Sequence, residues 1–281
     1  MRKGKIFLSI RTDLAAERLA AIKNRLICGA SQKEETLHGI RLITVTVSDH
    51  EAAAALEKPM GRYLTLICAP FRKVPEHFEE EVLALSEALS RLLPEGAVLV
   101  AGLGNASITP DALGPAAARQ ILATRHVGEE TAAALGIRSF RPVSVLAPGV
   151  LGQTGMETCE ILAALVRETK PAALIAIDAL AAGDPERVGT TVQICDSGIS
   201  PGSGVSNRRK ELSRRTLGIP VIAIGVPTVV DYPRGNDPEP MMVTPREIDT
   251  VIENAARTIA MAVNCALQPE LSLEDLMALT Q

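Results

Sequence analysis

Aromatic side chains are almost missing from this chain: no Trp, two Tyr and four Phe in 281 residues. A core without rings must be built from Ala, Val, Ile and Leu. With 47% hydrophobic residues this favours helices packed on a sheet over a ring-filled sandwich. Long apolar runs are missing too: none reaches the roughly 18 residues that span a bilayer. The opening MRKGKIFLSIRTD has too short a hydrophobic piece for a signal peptide. Both absences argue against a membrane partner and for a soluble, cytoplasmic protein. No CxxC pair exists. Cys28, Cys68, Cys159, Cys195 and Cys265 are scattered among apolar neighbours, which reads as structural thiols in a reducing compartment. No HExxH occurs among His38, His50, His77 and His126, so a histidine-rich metal site is hard to build. No positive excess exists either: the net charge of -4 gives no footprint for nucleic acid. Neither an internal repeat nor a linker divides the chain, so one α/β domain is expected.

What is present is organised around residues 98–115, VLVAGLGNASITPDALGP. Val98 to Ala101 form a short uninterrupted apolar run, the pattern of a strand buried on both faces, and Gly102, Gly104 and Asn105 break it. Thr109 then reads as an N-cap, Pro110 as a first-turn proline, and Asp111 as a carboxylate in the positive end of a helix that continues to His126. Further strands are expected at 40–48, 62–68, 143–146, 174–177, 190–195 and 219–228. Helices are expected from Thr12 or Asp13 to about Leu26, over 74–93 and 156–170, and from a Thr244 cap to about Leu267. Residues 148–155 read as a glycine-rich turn. Strands alternating with helices predict an α/β fold with a mostly parallel sheet covered by helices on both faces.

Two candidate acids follow two apolar strands of one type: Asp111, and Asp178 at the end of LIAID. In an open α/β sheet, ligands gather outside the carboxyl ends of strands. If the two strands are neighbours, the carboxyls face one crevice and can hold a single shared proton. One then takes a proton from water while the other gives one to a leaving group. The same pair could hold a divalent metal that activates the water. Each acid alone also has a plain reading, Asp111 as a helix cap and Asp178 as a strand-end turn. The segment DSGISPGSGVSNRRKELS is too irregular for an element and suits a backbone-lined loop that positions an extended substrate. Ser203 within it lacks the GxSxG elbow of a nucleophile. Arg208, Arg209 and Lys210 read as a solvated run or as a carboxylate-recognition cluster.

Several long pieces resemble the germination proteases of spore-forming bacteria, endopeptidases that degrade small acid-soluble spore proteins: RTDLA at 11–15, GLGN with TPDALGP at 102–115, KPAALIAIDALAA at 170–182, GISPGSGVSNRRKELS at 198–213, TLGIPVIAIGVPTVVD at 216–231 and MVTPREID at 242–249. The resemblance implies a fold like that of hydrogenase-maturation endopeptidases, with Asp111 and Asp178 as the family's essential aspartates. It favours an acid pair without a cofactor, a divalent metal at the same two acids being the alternative. A catalytically silent spore protein that binds a partner on the same scaffold is the rival of another class. It further implies a zymogen that removes its own leader, a homotetramer, and a place in the forespore or spore core. Such enzymes cut after an acidic residue and before a large residue followed by alanine. Asp13, Leu14 and Ala15 fit, which divides the chain into a 1–13 leader and a 14–281 peptidase domain, cut between Asp13 and Leu14. Asp13 as a plain helix cap is the competing reading. Substrate contacts are expected from Gly102, Gly104, Asn105, Gly202, Ser203 and Gly204. The chain departs from the family at Ser206, where a glycine is expected, at Tyr232, where a small residue is, and in having only a bare loop between Asp231 and Met242 where better-known members carry a long insertion.

Overall fold

The computed structural model describes residues 11–22, 27–74, 76–134, 136–201, 210–234 and 237–280, with the side chains of 233–240 left aside. Nine strands form one sheet among these residues: β1 (Ala30–Leu37), β2 (Ile40–Val47), β3 (Gly61–Ile67), β4 (Val98–Gly102), β5 (Val143–Leu146), β6 (Ala173–Ala182), β7 (Thr191–Cys195), β8 (Val221–Arg234) and β9 (Asp237–Val243). The helices are α1 (Ala15–Ala21), α2 (His50–Leu56), α3 (Phe78–Ser90), α4 (Leu113–Ala118), α5 (Glu129–Ala134), α6 (Leu151–Thr154), α7 (Thr158–Thr169), α8 (Arg214–Leu217), α9 (Ile248–Leu267) and α10 (Leu273–Leu279). The strand order is β1-β2-β3-β7-β8-β6-β4-β5, with β9 paired to β8.

The expected α/β class holds, and helices cover both faces. The sheet is mixed, however, where a mostly parallel one was expected. Parallel pairing is confined to β8, β6, β4 and β5, while β1, β2, β3, β7 and β9 pair antiparallel. Two of the antiparallel strands carry no apolar signal in the sequence. β1, ASQKEETL, is an exposed edge strand joined to β2 through His38 and Gly39, both at positive φ. β9 contains two prolines, which an edge strand tolerates. It replaces the expected bare loop after Asp231 with a hairpin arm.

Alternation along the buried strands divides their side chains between two cores. Val98, Val100, Ile175, Ile177, Ile222 and Ile224 meet α3, α4 and α9 on one face. Leu99, Ala101, Leu174 and Ala176 meet α7 on the other. Farther along that second face, α1 and α2 cover Ile43, Val45, Tyr63 and Cys195. Between the two helix groups lies a stretch of sheet, over the carboxyl halves of β6 and β8, that lines a cleft and on which Leu14 packs against Leu180, Ala182 and Val230.

Several boundaries differ from expectation. Residues Thr109–Asp111 form a separate 3₁₀ turn preceded by Ile108, and Thr109 makes no capping bond. α4 stops at Ala118, because the Asn264 side chain takes over the backbone beyond it: its amide accepts from Leu122 N–H at 3.0 Å and donates to Gln120 C=O at 3.0 Å. α9 begins at Ile248, and Thr244 spends its hydroxyl on the Thr228 carbonyl at 2.7 Å instead of capping it. At 148–155, the expected glycine turn contains the single turn of α6.

Candidate active site

The two acids come from neighbouring strands. β4 and β6 lie side by side and parallel, with Gly102 opposite Ile177. At Gly102 the chain leaves the sheet, Leu103 N–H still bonding the Ile177 carbonyl at 2.8 Å. It then loops back so that Asp111 stands near the next residue of β6, Asp178. Gly104 makes this return possible. Its φ is +111°, and a Cβ there would lie 2.0 Å from the Asp111 carbonyl oxygen. Asp111 Oδ2 accepts the Asn105 N–H at 2.7 Å, and Thr228 Oγ1 donates to the Pro110 carbonyl at 2.7 Å. Asp111 is thus held from both sides of its loop and is no simple helix cap.

Asp178 does not end its strand, contrary to the sequence reading. β6 continues to Ala182 because β8 pairs with it throughout, past a bulge at Leu180 and Ala181. By alternation the Asp178 side chain shares the face of Leu174 and Ala176, and it opens onto the stretch of sheet between the two helix groups. It is 5% exposed. Burial drives its carboxyl well above the ordinary carboxylate range, and the charges of Asp111 and Asp13 push the same way. The Ala179 N–H, donating at 3.0 Å, opposes them.

Both acids line one cleft of about 690 Å³, together with Gly104, Pro110, Leu151, Tyr63, Gln193 and Cys195. A stretch of the chain's own N-terminal segment lies against this cleft. Asp13 N–H donates to Ala181 C=O at 2.8 Å, and Ala181 N–H donates to Asp13 Oδ2 at 2.9 Å. Lys58 Nζ and Gln193 Nε2 each donate to the Asp13 carbonyl at 2.9 Å. Gln193 Oε1 accepts the Ala15 N–H at 2.9 Å, and Leu14 is 1% exposed. Glu17 completes the docking by accepting from Gly183 N–H at 2.7 Å and Asp184 N–H at 3.2 Å, while Arg11 reaches Asp231 at 3.7 Å.

Not every expected contact falls here. Gly102 packs against α4 instead: a Cβ on it would sit 2.1 Å from the Gly114 carbonyl. Asn105 supports Asp111 through its N–H, and its side-chain oxygen accepts from Ser107 and Gln153. Gly202, Ser203 and Gly204 lie outside the described residues, as do Ser206, Arg208 and Arg209, whereas Lys210 pairs with Glu160 at 2.6 Å on the surface. Cys195 lines the cleft, but burial raises its thiol and makes it a poor nucleophile. Among the described residues, no group of three or more His, Cys, Asp or Glu could hold a metal ion.

Lys58 and Gln193 were missed in the sequence. Lys58 follows α2 in no motif. Gln193 did carry a signal, a polar residue inside the buried strand TVQIC, but Thr191 beside it is polar and equally buried. The place of Gln193 in the cleft lining and its contacts with the N-terminal segment separate the two.

An α/β protein thus brings two acids from neighbouring strands to one cleft, with a stretch of its own polypeptide against them. The comparisons with known proteins give this class its family. A family model described as germination protease matches residues 11–236, and the chain belongs to that family. It is 40% identical to the germination protease of Caldanaerobacter subterraneus subsp. tengcongensis, over 96% of this chain and 98% of that protein. It is 47% identical to the germination protease of Bacillus subtilis (strain 168), over 82% of this chain and 67% of that protein. Among solved structures it is similar to a [NiFe] hydrogenase maturation protease, HycI, from Thermococcus kodakarensis KOD1, at 19% identity with a TM-score of 0.38, over 63% of this chain and 98% of that one. No helix among the described residues is long and apolar enough to cross a membrane.

Proposed function

We propose that this protein is an endopeptidase that degrades small acid-soluble spore proteins in the spore core during germination. In this reading it is made as a zymogen, removes residues 1–13 by cutting its own Asp13–Leu14 bond, and acts as a homotetramer. Asp111 and Asp178 are the catalytic pair. The observation that carries the reading is the seat of Asp13 against the cleft those two acids line.

Asp111, half-buried at the end of a polar loop, takes a proton from a water as its oxygen attacks the peptide carbonyl carbon. Asp178 enters the step protonated, as its burial favours, and passes that proton to the leaving nitrogen as the C–N bond breaks. The free acid and the free amine leave. The proton gained by Asp111 is the one the pair shares in the next cycle.

The test is to express Asp111→Asn and Asp178→Asn as full-length chains. Leader retention is followed by mass spectrometry, and cleavage of a purified small acid-soluble spore protein by electrophoresis. Both variants should fold, keep residues 1–13 and leave the substrate intact. Full activity in either overturns the acid pair. Wild-type activity that chelation abolishes and a divalent ion restores would assign the two acids to a metal. Failure of the wild type to cut at mildly acidic pH would leave a binding protein on this scaffold.

A further inference from the structure

The contacts of the Asp13 carbonyl go beyond what docking a tail requires. Its oxygen accepts two side-chain donors, Lys58 Nζ and Gln193 Nε2, both at 2.9 Å. The groups around it are fixed as well. The Asp13 N–H is bonded to Ala181 C=O, the Asp13 carboxylate to Ala181 N–H, and the Leu14 N–H to Thr12 Oγ1 at 3.0 Å. Thr12 in turn donates its hydroxyl to Glu17. The Leu14 side chain is sealed among Leu180, Ala182, Val188 and Val230, with Ile199 and Val243 packed against them. Gln193 bonds the chain on both sides of Leu14, Nε2 to the Asp13 carbonyl and Oε1 to the Ala15 N–H. This donor and acceptor pattern fixes the orientation of its amide and depends on no side chain of the segment.

A tail held only for storage needs the buried leucine and the bonds to β6. Two donors converging on one carbonyl, one from a lysine, are the arrangement that stabilises charge developing on that oxygen when a nucleophile adds to its carbon. We propose that Lys58 and Gln193 are catalytic residues forming an oxyanion clamp for the bond between Asp13 and Leu14, and for the corresponding bond of protein substrates, and that the Leu14 pocket receives the residue after the cut. The proposal rests on the reading above that this cleft cuts peptide bonds.

In the addition step the water oxygen bonds the carbonyl carbon and the C=O π pair moves onto oxygen, between Lys58 and Gln193. In the collapse step the pair returns, the C–N bond breaks, and the Leu14 nitrogen takes the proton held by the acid pair. The clamp keeps Lys58 beside the Asp13 carboxylate. That charge opposes the effect of burial, which pulls the ammonium below its ordinary range.

The experiment measures the first-order rate of leader removal in full-length Lys58→Met, Lys58→Arg, Gln193→Glu and Gln193→Met, with hydrogen exchange of the Asp13 and Ala15 amides as an independent readout of docking. Lys58→Met keeps the length of the stem without the donor. It should slow processing on the order of 10²-fold while the Asp13 amide stays protected, and Lys58→Arg should recover part of the rate. Gln193→Glu places a carboxylate against the carbonyl and should slow it at least as much. If Lys58→Met and Gln193→Met process at the wild-type rate, the clamp is wrong. If they slow only in proportion to lost amide protection, the two residues merely dock the segment and the proposal fails as well. Asp178→Asn, run alongside, separates the two failures. An inactive Asp178→Asn beside fully active clamp variants leaves the acid pair standing, and an active Asp178→Asn removes the reading on which the clamp depends.

Discussion

Asp178 is expensive to keep. A carboxyl with 5% exposure on the face of a sheet, pushed up by burial and by two other acids, binds its proton more tightly in the folded chain than in the unfolded one. Stability therefore falls as pH rises from the unfolded carboxyl range near 4 through its raised native value, because over that window the folded state holds more protons. An asparagine does not titrate. Asp178→Asn is expected to melt above its parent at pH 7, with the difference shrinking toward pH 4. Thermal denaturation across that range checks it, both chains carrying Asp111→Asn so that neither processes its leader. The largest cause, burial, survives that substitution. A difference constant with pH would mean that the fold does not bear the cost of this carboxyl. Asp178 was legible as a candidate because a charged residue interrupts the run LIAI. Its burial was not legible, because the four residues after it, Ala179 to Ala182, look like the end of a strand and are its continuation.

The β4 to α4 connection is the element on which Asp111 depends. Two close approaches hold it: Gly104 against the Asp111 carbonyl, and Gly114 of α4, whose Cβ would lie 2.2 Å from the Leu103 carbonyl and 2.4 Å from that of Ile177. Gly104→Ala must move the Asp111 backbone or rotate out of its positive φ. A stability loss of about 1–3 kcal/mol is expected. The loss of processing should be larger, on the order of 10²-fold for a carboxyl displaced by about 1 Å. Melting temperature and leader removal, measured on the same sample, check both. Activity that fell only as far as the folded fraction would show that the loop does not aim Asp111. The glycines and the TPD turn were visible in the sequence, but the direction of the turn was not. Thr109 and Pro110 form an ordinary helix start in isolation, and the 3₁₀ turn wins because Thr228 of β8 ties the Pro110 carbonyl from a distant part of the chain.

Across the whole molecule, one hydrophobic cluster runs from the antiparallel arm to the parallel centre. Leu42, Leu64 and Leu66 belong to the same buried group as Val98, Ile175 and Ile222, beneath α3 and α9. β7 links the two parts by pairing antiparallel with β3 and with β8. A continuous core gives neither part a separate surface along which to melt. A single calorimetric transition is expected for the unprocessed chain. Two resolved transitions would mean that the β1-β2-β3 arm folds by itself.

Local pattern was enough to read the buried strands and the glycine turn and to mark Asp111 and Asp178 as candidates, because runs of β-branched residues and a carboxyl that interrupts an apolar run are written in neighbouring positions. The sequence alone also pointed to the family. The tertiary structure decided what no neighbour reports: that β4 and β6 lie side by side, that Asp178 opens onto the stretch of sheet left between two groups of helices, and that Lys58 and Gln193 meet over one carbonyl. Each of these depends on strand order and on which face a helix leaves uncovered, and both are set by contacts between segments far apart along the chain.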